Sequence, residues 1–202
     1  MLKANDDRYK TIAAPAEGYI NEKKSKFISF IIPVGSVTAA MDKIDEYRKK
    51  YYDARHVCWA YMIGWERDEY RFNDDGEPSG TAGKPIFGQI NSFELTDVLI
   101  IVVRYFGGTL LGTGGLIRSY KDAAADAIEN AEIIEKTVDD TINIHFEYTI
   151  LNDVMRVLKQ FESVKWTQDF QESCKMNIVI RRSLTHQLTE TLSSIYGVKF
   201  ED

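Results

Sequence analysis

The sequence predicts an α+β protein of two domains, on three observations. Val98-Leu-Ile-Ile-Val-Val103 is a continuous apolar run of strand length, as expected of a strand covered on both faces. From Thr137 the chain restarts with a different rhythm, in which Ile142, Ile144, Phe146 and Tyr148 alternate with polar residues. Between Ala131 and Asp140 the rhythm changes and charges cluster, which places a boundary near Glu135 and gives domains of 1–135 and 136–202. With 202 residues, 44% of them hydrophobic, the chain can bury a full core, but length alone does not choose between one domain and two.

Lys26 to Val34 is the first apolar run of strand length. Ser36 can cap a helix after it, because Val37, Ala40, Met41, Ile44, Tyr47 and Tyr51 recur at three- and four-residue spacing and leave Asp42, Lys43, Glu46 and Lys49 in water. His56 to Ile63 follows as a second long strand and Glu69 to Phe72 as its shorter partner. Asn73 to Pro85 is predicted as a loop and Asp97 to Arg104 as the core strand. Tyr105 to Gly115 is a second loop that opens a helix from about Leu116 to Ala131, whose buried stripe is Leu116, Tyr120, Ala124, Ala127, Ile128 and Ala131. After the boundary come a strand over Thr141–Tyr148 and a helix carrying Leu151, Val154, Leu158 and Phe161. Strands over Val164–Phe170 and Lys175–Arg181, a helix marked by Leu184, Leu188, Leu192 and Ile195, and a closing strand over Val198–Phe200 complete the chain. That order, βαββαβ, is the ferredoxin-like pattern.

Composition narrows the functional classes. A net charge of -6 argues against a basic coat that binds nucleic acid through bulk charge. The part through Lys136 holds 18 basic against 21 acidic residues and the remainder 7 against 10, so each stands at -3 and any RNA contact must be a local patch. No stretch of roughly 18 or more apolar residues is present to span a bilayer, and Met1 to Lys10 lacks a signal peptide's apolar core, so no membrane association and a cytoplasmic location are expected. Cys58 and Cys174 have no CxxC partner and are expected as buried free thiols.

Two loops concentrate chemistry. Asn73-Asp-Asp-Gly-Glu-Pro-Ser-Gly-Thr-Ala-Gly-Lys-Pro85 gathers Asp74, Asp75 and Glu77. A metal or an acid/base site is one reading, but the spacing is not that of a calcium loop, and carboxylates that hold tight turns through backbone N–H groups are the favoured one. No resident metal or cofactor is therefore expected. The second loop surrounds a helix start with Gly107, Gly108, Gly114 and Gly115, and Arg104, Arg118 and Lys121 are near in sequence. Backbone N–H groups there favour an anion, while glycines serving only positive φ and close packing are the competing reading. No phosphate-loop Gly-Lys-Ser/Thr ends this segment, and the dinucleotide fingerprint is incomplete. His56, His145 and His186 form no zinc set with the cysteines, and no complete catalytic constellation is found.

Asp53-Ala-Arg-His-Val-Cys58, the Asn73–Pro85 loop and Val103-Arg-Tyr-Phe-Gly-Gly-Thr-Leu-Leu-Gly-Thr-Gly-Gly115 resemble, in order and spacing, the signature segments of the YigZ/IMPACT family in its bacterial two-domain form. The resemblance extends upstream to Lys24-Ser-Lys-Phe27 and downstream through the second domain. It implies an N-terminal ribosomal-protein-like βαβ domain with a left-handed crossover, and a C-terminal ferredoxin-like domain similar to the last domain of translocase elongation factor. It also implies regulation of translation with RNA or the ribosome as partner, through Arg55, His56, Lys84, Arg104, Arg118 and Lys121 as phosphate contacts. Tyr105 and Phe106 are candidates to stack bases, one of them expected in the core because a strand end alternates faces. A small-molecule phosphate or nucleotide enzyme and a protein-interaction module are the alternatives.

Overall fold

In the computed structural model, which describes residues 7–170 and 173–201, the chain divides into two units. One runs from Tyr9 to Lys136, and the other holds Thr137 onward together with Asp7 and Arg8. The element order begins β1 (Arg8–Ile12), β2 (Ala16–Glu22), β3 (Ser25–Pro33), α1 (Val37–Lys50), β4 (His56–Ile63) and β5 (Glu69–Asn73). It continues through α2 (Gly83–Ser92), β6 (Val98–Tyr105), α3 (Gly112–Glu129) and β7 (Ile133–Thr137), and β1 pairs with β7 in a two-stranded sheet.

The main sheet has the order β2-β3-β6-β4-β5, with every neighbouring pair antiparallel. β6 lies at its centre, and Val98 to Val103 are fully buried because helices cover both faces. Val98, Ile100 and Val102 pack with Ile86 and Ile90 of α2 and Tyr120 and Ala124 of α3, whereas Leu99, Ile101 and Val103 pack with Ala40 and Ile44 of α1. The unbroken apolar run thus marks a central antiparallel strand between two helical layers. β3 and β4 both run antiparallel to β6, so they are parallel to one another and α1 joins them across it. Ser36 caps α1 by accepting from the Ala39 N–H at 3.2 Å, and Arg48, Lys49 and Lys50 suit the negative end of the helix.

Three features depart from expectation. Gly83–Ser92 is a helix where a loop was expected up to Pro85; Pro85 lies in its first turn, where a proline is tolerated. α3 starts at Gly112, four residues before Leu116, so Gly114 and Gly115 belong to its first turn. β1, β2 and β7 carry too few buried residues to give a clear period.

The second unit contains β8 (Asp139–Phe146), α4 (Leu151–Leu158), β9 (Lys165–Phe170), β10 (Cys174–Arg181), α5 (Arg182–Ser193) and β11 (Lys199–Glu201). Its sheet has the order β11-β8-β10-β9 and is antiparallel throughout. Ile144, Met176, Ile178 and Ile180 meet Val154 and Leu158 of α4 and Leu188 and Leu192 of α5 in its core.

Asp7 belongs to this unit. Its carboxylate accepts from Nε and Nη2 of Arg181 at 2.9 and 2.6 Å and from the Ser183 N–H at 2.8 Å. The hydrogen bond from Arg181 holds the Asp7 carboxyl well below the usual carboxylate range, outweighing the opposite push of burial. A depressed folded-state pKa contributes stability above the unfolded value and loses it as pH falls. Asp7→Asn should therefore cost about 2 kcal/mol near neutral pH. The gap between parent and variant in urea melts should shrink below about pH 4, and a gap independent of pH would contradict this ion pair.

Candidate functional site

The acidic loop between β5 and α2 is held by its own carboxylates. Asp74 Oδ1 accepts from the N–H groups of Ala82 and Gly83 at 3.0 and 2.8 Å, and Oδ2 from Gly80 at 2.8 Å, so a carboxylate from upstream supplies the cap that α2 lacks locally. Asp75 accepts from the Val57 N–H at 2.6 Å and from Arg48 Nη2 at 2.9 Å, while its own N–H donates to Asn73 Oδ1 in an Asx turn. Asp75, Gly76 and Gly80 all take positive φ. Among the described residues no group of three or more His, Cys, Asp or Glu side chains is gathered as for a metal.

Glu77 turns inward from this loop and is nearly inaccessible to solvent. Its Oε1 accepts from Arg104 Nη1 at 2.5 Å and from the Tyr120 hydroxyl at 2.8 Å, tying the loop to β6 and α3. Cys58 Sγ lies 3.3 Å from that hydroxyl and 3.1 Å from the Asp74 carbonyl. Burial pushes the Cys58 thiol and the Tyr120 hydroxyl above their ordinary ranges, so both stay protonated as donors. His56 Nδ1 is 2.8 Å from the Asp75 carbonyl; a carbonyl only accepts, so Nδ1 carries the proton, and Nε2 is left 3.8 Å from Glu77 Oε1.

Above this network lies a cavity of about 550 Å³. Arg55, His56, Glu77 and Arg104 supply its polar lining, Phe106, Leu110, Leu111 and Leu116 its apolar wall, and Gly112 and Thr113 bring the start of α3 to its edge. No side chain caps that helix. Its first N–H groups are free of intrahelical partners and carry the positive end of the dipole. The Arg104 side chain is only 7% exposed, and its Nε is buried with no hydrogen-bond partner. Its guanidinium sits 5.5 Å from the centre of the Phe27 ring and 5.8 Å from that of Phe106, within cation–π range of both.

The structure therefore brings together Arg55, His56, Glu77 and Arg104 from segments far apart in sequence. It does not bring Lys84, Arg118 or Lys121 to this lining: Lys84 is exposed at the start of α2, and the other two are exposed on α3. Tyr105 donates its hydroxyl to Asp53 Oδ1 at 2.9 Å and packs with the α1 layer, whereas Phe106 is half exposed at the cavity wall. Gly107 lies against the turn before β3, donating its N–H to Ser25 Oγ at 3.2 Å. Gly108 takes positive φ in the loop before α3, and at Gly114 an added Cβ would meet nothing within 4 Å. Sequence reasoning missed Tyr120, Ser25 and the wall residues Leu110 and Leu111; only the buried stripe of α3, which includes Tyr120, gave a signal. No helix among the described residues is long and apolar enough to cross a membrane, and Cys58 and Cys174 are buried free thiols.

Comparison with known proteins agrees with the positions of these segments. The Impact N-terminal domain family matches residues 23–128, which contain the whole cavity. The IMPACT family member YvyE of Bacillus subtilis is 29% identical over 191 residues, covering 95% of this chain and 88% of that protein. The IMPACT family member YigZ of Escherichia coli is 34% identical over 170 residues, covering 83% of each. The crystal structure of a hypothetical protein superposes with a TM-score of 0.72 at 29% identity, covering 96% of this chain and 97% of that one.

Proposed function

The chain belongs to the IMPACT family, and from that membership we propose that it is a translation-associated regulator that engages RNA or the ribosome in the cytoplasm. The observation that carries the site assignment is the meeting, in the lining of one cavity, of the uncapped α3 start with the cationic side chains of Arg104 and Arg55. A phosphate oxygen seated there would take up donors that the protein leaves free. Arg55, exposed at the rim, adds a second cation, and Arg118 and Lys121 are available as outer contacts along α3. In an acidic chain such a compact site gives local rather than bulk attraction for nucleic acid.

The domain reading is consistent with this role. The order β11-β8-β10-β9 with βαββαβ connectivity supports a ferredoxin-like second unit, similar to the last domain of translocase elongation factor. The β3–α1–β4 step supports a ribosomal-protein-like βαβ domain, with the left-handed crossover that the family implies. A small-molecule phosphate enzyme is the second reading, favoured by His56, which lines the cavity with Nδ1–H held by the Asp75 carbonyl, so that Nε2 is the nitrogen left to accept a proton.

Co-sedimentation with ribosomes tests the proposal. Arg55→Ala should leave the fold unchanged and weaken the association about threefold to tenfold at low salt, through loss of one phosphate contact. Association equal to that of the parent would remove the cavity from the interface. Release of inorganic phosphate from small phosphate esters, abolished by His56→Gln, would favour the enzyme.

A further inference from the structure

The cavity lining is of two chemical kinds, and a single ligand must suit both. The donors are the Arg104 guanidinium, the first N–H groups of α3 and the exposed Arg55. The apolar surface is Phe106, 49% exposed with its ring centre 5.8 Å from that guanidinium, and Leu110, 84% exposed, backed by Leu111 and Leu116. Inorganic phosphate would leave the apolar wall in water, and a purely apolar ligand would cover the uncapped N–H groups of α3 without giving them an acceptor. The volume of about 550 Å³ lies within the range of roughly 300–1,000 Å³ typical of sites for small organic ligands.

The burial of Arg104 separates two modes of nucleic-acid contact. Phosphates of a duplex lie on its convex outer surface and meet side chains that project from the protein. The guanidinium of a side chain only 7% exposed can be reached only by a group that enters the cavity. We infer that the cavity takes one nucleotide unit, with its phosphate at the start of α3 beside Arg104 and its base against Phe106. This deepens the preceding proposal and rests on the cavity's being the phosphate site named there. The unit is either a nucleotide splayed out of single-stranded RNA or a free nucleoside monophosphate, since both present the same phosphate and aromatic base.

Titration of the intact protein by calorimetry with inorganic phosphate, adenosine 5′-monophosphate, an eight-nucleotide single-stranded RNA and a twelve-base-pair RNA duplex tests this. The single strand should bind at least about tenfold more tightly than the duplex, and the monophosphate more tightly than inorganic phosphate. Phe106→Ala should weaken the single strand and the monophosphate about 5- to 100-fold and leave inorganic phosphate unchanged, because it removes a stacking face and no charge. Arg55→Ala should weaken all three. Since Phe106 also flanks Arg104, Phe106→Leu serves as the second variant: it keeps the apolar contact, and an intermediate loss assigns the remainder to the ring face. Binding of the monophosphate without the oligonucleotide would support the inference with a free nucleotide as the source. Equal affinity for duplex and single strand, insensitive to Phe106→Ala, would overturn the inference while leaving ribosome association standing. Ribosome association with no binding of any probe would overturn it in favour of a protein contact, whereas loss of ribosome association with monophosphate binding intact would overturn only the earlier proposal.

Discussion

Glu77→Ala should destabilise the protein by about 3–5 kcal/mol, the cost of leaving one member of a buried ion pair without its partner. The Glu77 and Arg104 side chains are 3% and 7% exposed, so water cannot replace the lost carboxylate without entering the core. The same substitution removes the acceptor of the Tyr120 hydroxyl and breaks the link that the acidic loop makes to both β6 and α3. Glu77→Gln should fall between parent and Ala, because an amide oxygen still accepts from Tyr120 but no longer neutralises the guanidinium. Urea melts read both values, and a loss below about 1 kcal/mol for Ala would mean that Arg104 finds a new partner or solvent. Phosphate added to Glu77→Gln should recover more stability than phosphate added to the parent, since an anion in the cavity would then meet an uncompensated Arg104.

Gly107→Val should be nearly as damaging, at about 3 kcal/mol, for a purely steric reason. A Cβ at Gly107 would stand 2.1 Å from the Lys24 carbonyl carbon and 2.3 Å from the Ser25 nitrogen. Both are backbone atoms of a turn in which Lys23 and Lys24 take positive φ, so the neighbour has little freedom to retreat. The loop carrying Phe106 would have to move, which makes loss of ligand affinity the second readout. Gly114→Ala is the contrast: its Cβ faces open space in the first turn of α3, and its effect on thermal stability should stay within about 0.5 kcal/mol. A Gly107→Val protein as stable as the parent would show that the β6–α3 loop does not depend on that close approach.

The two glycine positions show where sequence reasoning reaches its limit. Both stood in one glycine-rich segment, and spacing alone gave no way to separate a packing glycine from one inside a helix. The layers were legible because burial leaves a mark on composition: Val98 to Val103 are apolar at every position, and Val37, Ala40 and Ile44 keep helical spacing. α2 was hidden because Gly83, Pro85 and Gly88 lower its helical propensity, and its cap comes from Asp74, a residue before the helix in a different turn. The site was legible in part. Arg104, Arg55 and His56 stood out in the signature segments, but the pairing of Glu77 with Arg104 spans 27 residues and follows only from the acidic loop's folding back onto the start of β4, where His56 stands opposite Arg104. Lys84, Arg118 and Lys121 attracted attention by charge and sequence proximity, and helix geometry carries them away from the cavity.

Ribosome affinity measured across a salt series, for the parent and for Arg55→Ala, tests the central proposal most directly. Each neutralised phosphate contributes a slope of roughly -0.7 to -0.9 in log affinity against log salt, so a compact site making three or four contacts predicts a total near -2 to -4. Arg55→Ala should flatten that slope by about one unit while the protein remains folded. A slope near zero, or one that Arg55→Ala leaves unchanged, would contradict phosphate recognition at this cavity.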